Sequence, residues 1–162
     1  MMSELNPYDK FLDGRALDTI LAATPGEIGR LILAIGADRE NTAPAPGKLS
    51  PAEIVAHLAD CELVFGFRLR QTLAEDSPVI QPFDQDKWAR TYTGVPAKQA
   101  LEVFAALRQW NLRLIDLALP EAGERPETHP ERGAMTFLTI VETMAGHDLN
   151  HLGQLKKIGN RE

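Results

Sequence analysis

The 162-residue chain is of ordinary single-domain length, and with 44% hydrophobic residues it can bury a core without disulfides, which its single cysteine, Cys61, could not supply internally. A formal charge of -6 argues against a nucleic-acid partner, because phosphate binding requires clustered Lys and Arg, and only the pairs Arg68/Arg70 and Lys156/Lys157 stand out. No apolar run approaches the roughly 18 residues that span a bilayer, and MMSELNPYDK lacks the basic start and apolar stretch of a secretory leader; the expectation is a soluble, cytoplasmic protein with no membrane partner.

Apolar residues recur at three and four with almost no period-2 alternation, which predicts an all-α fold. TPGE at Thr24–Glu27 and SPAE at Ser50–Glu53 each read as a capping box with Pro at the first helical position. From Thr24 a helix is expected to about Ala37, with room for a short helix over Leu17–Ala23 before it. ADRENTAPAPGK then forms a long connection. A second helix follows Ser50 and reaches about Ala74, where the prolines of SPVIQPF break it. A third runs from near Pro96 to about Leu119, with Leu101, Phe104, Leu107, Leu114 and Leu117 on its apolar side and Pro120 ending it. PEAGERPETHPERG, which holds His129, reads as a second long loop. The last helix spans about Thr136 to Ile158, with Gly159 as a suitable residue just past its end. The expected architecture is a single domain over 1–162, a four-helix bundle with long crossover connections.

Two of the four histidines, His147 and His151, lie in GHDLNHLGQL. Four helical residues turn the chain by about 400°, so both imidazoles share one face. Ile140, Met144, His147, His151, Leu155 and Ile158 form a continuous stripe, which points both histidines inward. Such a pair is either two neutral buried imidazoles or two metal ligands. The zincin motif HExxH is rejected, because Asp148 is shorter than the Glu that motif uses as a general base.

His57 is the third candidate ligand, since Ile54, His57, Cys61, Val64 and Arg68 form an inward stripe on the second helix. A divalent ion would satisfy three buried lone pairs at once, and three protein nitrogens leave a coordination position open for water or a thiolate. Imidazole suits several metals; Zn or Ni is the first expectation, with Fe possible.

SPAEIVAHLADCELVFGFRLRQTL, PFDQDKWA and HPERGAMTFLTIVETMAGHDLNHLGQLKKI together resemble the DinB-like superfamily of metal-binding four-helix proteins, whose members include bacillithiol S-transferases and thiol-dependent isomerases. The resemblance covers most of the chain after Lys48 and includes the landmarks Trp88, Gly133 and Gln154. Leu49 departs from the pattern, where many relatives carry Trp. It implies His57, His147 and His151 as ligands to one divalent metal ion. It also implies transfer of a low-molecular-weight thiol to an electrophilic substrate, with metal-dependent hydrolysis as the alternative enzyme and a non-catalytic metal-binding or stress-related protein as the alternative class. Relatives that pair make a homodimer an expectation.

Around this site Asp60 and Gln154, each three residues from a proposed ligand, are candidates to orient an imidazole or a bound water. His129 is a loop residue that could line the pocket mouth. Cys61 and Met144 read as core filling. Arg68 reads as half of an internal salt bridge, with an anionic substrate as its other prospect.

Overall fold

A computed structural model describes residues 5–160. Five α-helices and one hairpin follow in order: α1 (Leu17–Ile35), α2 (Pro51–Ala74), the short α3 (Gln85–Ala89), α4 (Ala97–Ala122), β1 (Pro126–His129), β2 (Gly133–Thr136) and α5 (Phe137–Gly159). No helix among the described residues is long and apolar enough to cross a membrane.

The SPAE reading holds. Ser50 accepts from the Glu53 backbone amide at 3.3 Å and the Glu53 carboxylate accepts from the Ser50 amide at 2.8 Å, so α2 begins where its cap places it. The TPGE reading does not. Helix α1 runs unbroken through Thr24 and Pro25, and the Thr24 hydroxyl donates back to the Ile20 carbonyl at 2.9 Å. A helical Pro leaves the carbonyl four residues earlier without its N–H partner. Here that carbonyl belongs to Leu21, and the buried Arg108 guanidinium donates to it at 2.9 Å. A tertiary contact thus replaces the bond that Pro25 removes.

Pro120 likewise fails to end α4, which continues to Ala122; Asp116, whose carbonyl loses its partner, is exposed and water can serve it. The buried face of α4 carries Phe104, Arg108, Asn111 and Ile115, whereas Leu117, expected inside, is 73% exposed. The loop expected around His129 is instead an antiparallel hairpin pairing Glu127 with Met135 and Thr128 with Ala134, and the chain at Pro78–Ile80 bonds to Thr128 on its other side. Helix α5 includes Gly159, and Asn160 caps it.

Contacts fix the directions of the four long helices. Tyr8 meets Gly146 while Arg39 bonds the Ile158 carbonyl, so α1 and α5 rise together. Glu62 meets Arg108 and Gly66 meets Asn111, so α2 and α4 are also parallel. The two pairs oppose each other, and residues 75–96, including α3, return along the bundle to make this possible. One apolar cluster gathers around Val55, Phe104 and Leu155, and another around Leu69, Phe137 and Met144.

Candidate metal centre

His57 on α2 and His147 and His151 on α5 converge between those clusters, with 5%, 2% and 7% of their surfaces exposed. The Nε2 of His147 lies 3.1 Å from the Nε2 of His57 and 3.1 Å from that of His151. In a tetrahedral site with Zn–N bonds of about 2.0–2.1 Å, ligand nitrogens stand about 3.4 Å apart. The three rings therefore fit a single divalent ion. Without one they are an awkward group, because three imidazole nitrogens face each other and each contact requires a proton on one side.

The surroundings favour neutral rings with available lone pairs. Burial lowers the His147 pKa well below its ordinary value, helped by the neighbouring His151, His57 and Arg108. Burial, with His57, brings His151 down to about 4. His57 is lowered by burial, with Asp60 opposing. The Gln154 amide oxygen sits 3.0 Å from His151 Nδ1, which places the ring proton there and leaves Nε2 bare. Asp60 is hydrogen-bonded away from the triad; its Oδ2 accepts from the Tyr92 hydroxyl at 2.8 Å.

His57 and His151 line a pocket of about 530 Å³ together with Tyr8, Lys48, Asp86 and Gln154. A narrower cleft approaches the triad from the side of His147 and Cys61, and Tyr8 and Gln85 wall both spaces. The Cys61 sulfur lies 3.6 Å from His57 Nε2, but burial pushes its thiol pKa far up, so the side chain behaves as core. Met144 is fully buried among apolar neighbours. His129 is 3% exposed, accepts from the Glu131 amide through Nδ1, and lines a further cleft with Arg68, Glu127 and Arg132. Arg68 forms no ion pair at contact distance among the described residues; it donates to the Gln81 carbonyl at 3.0 Å.

Two features escaped the sequence reading. Tyr8 packs edge-on against the His147 ring, with centroids 5.1 Å apart, and Gly146 allows this approach because a Cβ there would stand 2.6 Å from the Tyr8 carbonyl oxygen. Arg108 bonds both Glu62 and Asp148, and Asn111 adds a bond to Glu62 at 2.8 Å. Arg108 and Asn111 follow Phe104 at core spacing, and that periodicity was the available signal once polar residues were admitted to it.

The sequence model of the DinB superfamily matches residues 21–155. A protein of Oceanobacillus iheyensis named "Putative metal-dependent hydrolase" is 28% identical over 99% of both chains. One of the same name from Geobacillus kaustophilus is 24% identical over 85% of this chain and 79% of its own. Among solved structures, YfiT from Bacillus subtilis superposes with a TM-score of 0.81 at 18% identity, covering 88% of this chain and 83% of its own; it is described as "a probable metal-dependent hydrolase with an unusual four-helix bundle topology".

Proposed function

Because the chain belongs to the DinB superfamily, we propose that it is a metal-dependent enzyme whose His57, His147 and His151 hold one divalent ion, zinc or nickel before iron, and that it transfers a small thiol to an electrophilic substrate. The observation that carries this reading is the convergence of the three Nε2 atoms beside a pocket large enough for a small molecule. Bound there, the ion would supply Lewis acidity, lowering the pKa of a thiol or water in the open coordination position.

The protein's own groups favour the thiol over water. A coordinated thiol loses its proton without a dedicated base. The carboxylate within GHDLNH is not available as one, since Asp148 is bonded to Arg108 at 2.6 Å, and Asp60 is bonded to Tyr92. Gln154 fixes the His151 tautomer, and Tyr8 packs edge-on against the His147 ring.

Hydrolysis is the second reading, supported by the names of the relatives. Asp86, which lines the broad pocket, is the carboxylate to which activation of water would fall.

Elemental analysis of the protein and of folded His57→Ala, His147→Ala and His151→Ala variants tests the site, followed by assays of thiol conjugation and ester hydrolysis. Near-stoichiometric metal in the parent, lost in each variant, with thiol conjugation surviving Asp86→Asn, is expected. Absence of metal after reconstitution with Zn²⁺, Ni²⁺ and Fe²⁺ would overturn the site. Hydrolysis that depends on Asp86 would replace transfer as the reaction, and metal that admits no thiol would indicate a structural ion.

A further inference from the structure

The broad pocket beside the triad, about 530 Å³, has room for a small molecule, and segments far apart in the chain wall it: the loop ahead of α2, α2 itself, α3 and the C-terminal half of α5. Its lining runs from the buried His57 and His151, past apolar sides at Leu49, Ile54 and Ala89, to the exposed Lys48 and Lys157. The metal-binding end is therefore deep, and the lysines stand at the mouth.

Lys48, Lys157 and Asp86 are the side chains on these walls that bear full charge at neutral pH. None of them is in an ion pair at contact distance among the described residues. Two neighbouring cations are engaged, since Lys156 lies 3.6 Å from Glu27 and Arg39 donates to the Ile158 carbonyl. A lysine in a last turn ordinarily complements the negative end of its helix, but Arg39 already fills that role for α5. Two ammonium groups against one carboxylate leave a positive charge at the mouth of the pocket, in a chain whose formal charge is -6.

Because α2 and α5 run in opposite directions, the loop that carries Lys48 and the last turns of α5 meet at one end of the bundle. Lys157 follows His151 by six residues, about 9 Å along the axis. Helical side chains lean toward the N-terminus, which directs Lys157 back toward His151.

We propose that Lys48 and Lys157 form a carboxylate-recognition pair at the mouth of the broad pocket, and that the thiol bound at the open coordination position carries a carboxylate several bonds from its sulfur. One uncompensated charge suits a carboxylate better than a phosphate dianion. This inference rests on the thiol-transfer reading, and it makes the lysines specificity residues with no part in bond making.

The test uses Co²⁺-loaded protein, in which thiol binding to the metal is read from the sulfur-to-cobalt charge-transfer band. Mercaptoacetate, 4-mercaptobutyrate and 6-mercaptohexanoate are each compared with the matching neutral amide. At one spacer length or more the acid should bind tighter than its amide. Lys48→Gln combined with Lys157→Gln should cut that preference by about threefold, the size of a solvent-exposed ion pair, while leaving amide binding and metal content unchanged. Comparison across variants removes the attraction of the metal itself, which every acid feels. Lys156→Gln, on a lysine whose partner is Glu27, should leave the preference as it is. Acids that bind no better than amides at every length would overturn the proposal and leave the metal reading standing, a comparison that needs no variant to fold. A preference undiminished in the double variant would overturn it as well, and so would an equal loss in Lys156→Gln, which would mark a diffuse effect of charge. Failure of all six compounds to give the band would overturn the thiol-transfer reading and this inference with it.

Discussion

Arg108 and Asp148, 40 residues apart in sequence, meet at 2.6 Å in the centre of the bundle, and the same guanidinium grips Glu62 at 2.8 Å. All three side chains are almost fully buried. One cation thus ties α4 to both ligand-bearing helices, and a residue next to His147 is held by it. Removing one partner from such a group leaves charge stranded in the interior. Arg108→Met should destabilise the protein by about 3–5 kcal/mol in urea unfolding. A loss below about 1 kcal/mol would show that the two carboxylates are accommodated as neutral groups.

Gln154 meets the proposed metal centre through the contact of its amide oxygen with His151 Nδ1 at 3.0 Å. Gln154→Ala should leave the fold intact and weaken metal affinity by about 10- to 100-fold, the range seen when such a supporting hydrogen bond is lost. A chelator competition titration would measure it. Unchanged affinity would mean that the amide is merely a surface group near the ring.

Gly146 has no room for a side chain because the Tyr8 backbone fills the space. Gly146→Ala should displace the segment bearing Tyr8 and cost about 1–3 kcal/mol. The structural readout is the Tyr8 ring: its nuclear Overhauser contacts with His147 should disappear. Retention of those contacts at full stability would contradict the observed packing.

His129 should titrate below its ordinary value of 6.5, because burial disfavours its cation and Arg132 and Arg68 repel it. Proton NMR of the ring reads this directly. Above pH 6.5 the ring is neutral whether the chain is folded or not, and its contribution to stability is fully present. As pH falls below 6.5 the unfolded chain takes up a proton that folded His129 resists, so this contribution declines until the pH has passed the folded value. Arg68→Gln should move the folded value upward and reduce the loss. A ring titrating above 6.5 would contradict the environment described.

Leu63 and Phe67 on α2 and Val103, Trp110 and Leu117 on α4 are exposed apolar residues. With Gly66 facing Asn111 across this parallel pair, a turn of 100° per residue places all five on its outer side. The expected outcome is a homodimer closed over this face. Sedimentation velocity should show a dimer for the parent and a monomer that keeps its metal for Trp110→Glu. A monomeric parent at micromolar concentration would remove the expectation.

Much of this was legible in the sequence where local chemistry decides the outcome. Ser50 and Glu53 cap α2 by themselves, and the stripe from Ile140 to Ile158 announces which side of α5 is buried. His57, His147 and His151 were readable because each lies on such a stripe, although only the fold brings His57 to a partner 90 residues away. What escaped depends on distant partners. Pro25 continues α1 because Arg108 serves the Leu21 carbonyl. The hairpin hides because its inward residues on β1 are Glu127 and His129, so no apolar alternation marks the strand. Leu117 misled for the converse reason, an apolar side chain on a face that the monomer leaves in water.

The return of residues 75–96 along the bundle divides the chain into two interleaved halves. α1 and α2 scarcely touch each other, and each packs instead on both α4 and α5. His57 belongs to the first half, His147 and His151 to the second. A cut within the return segment would therefore give two fragments, neither with a complete core nor a complete set of ligands. Their reassembly would create both at once, so the protein is a natural candidate for a split reporter whose signal is the capture of a metal ion.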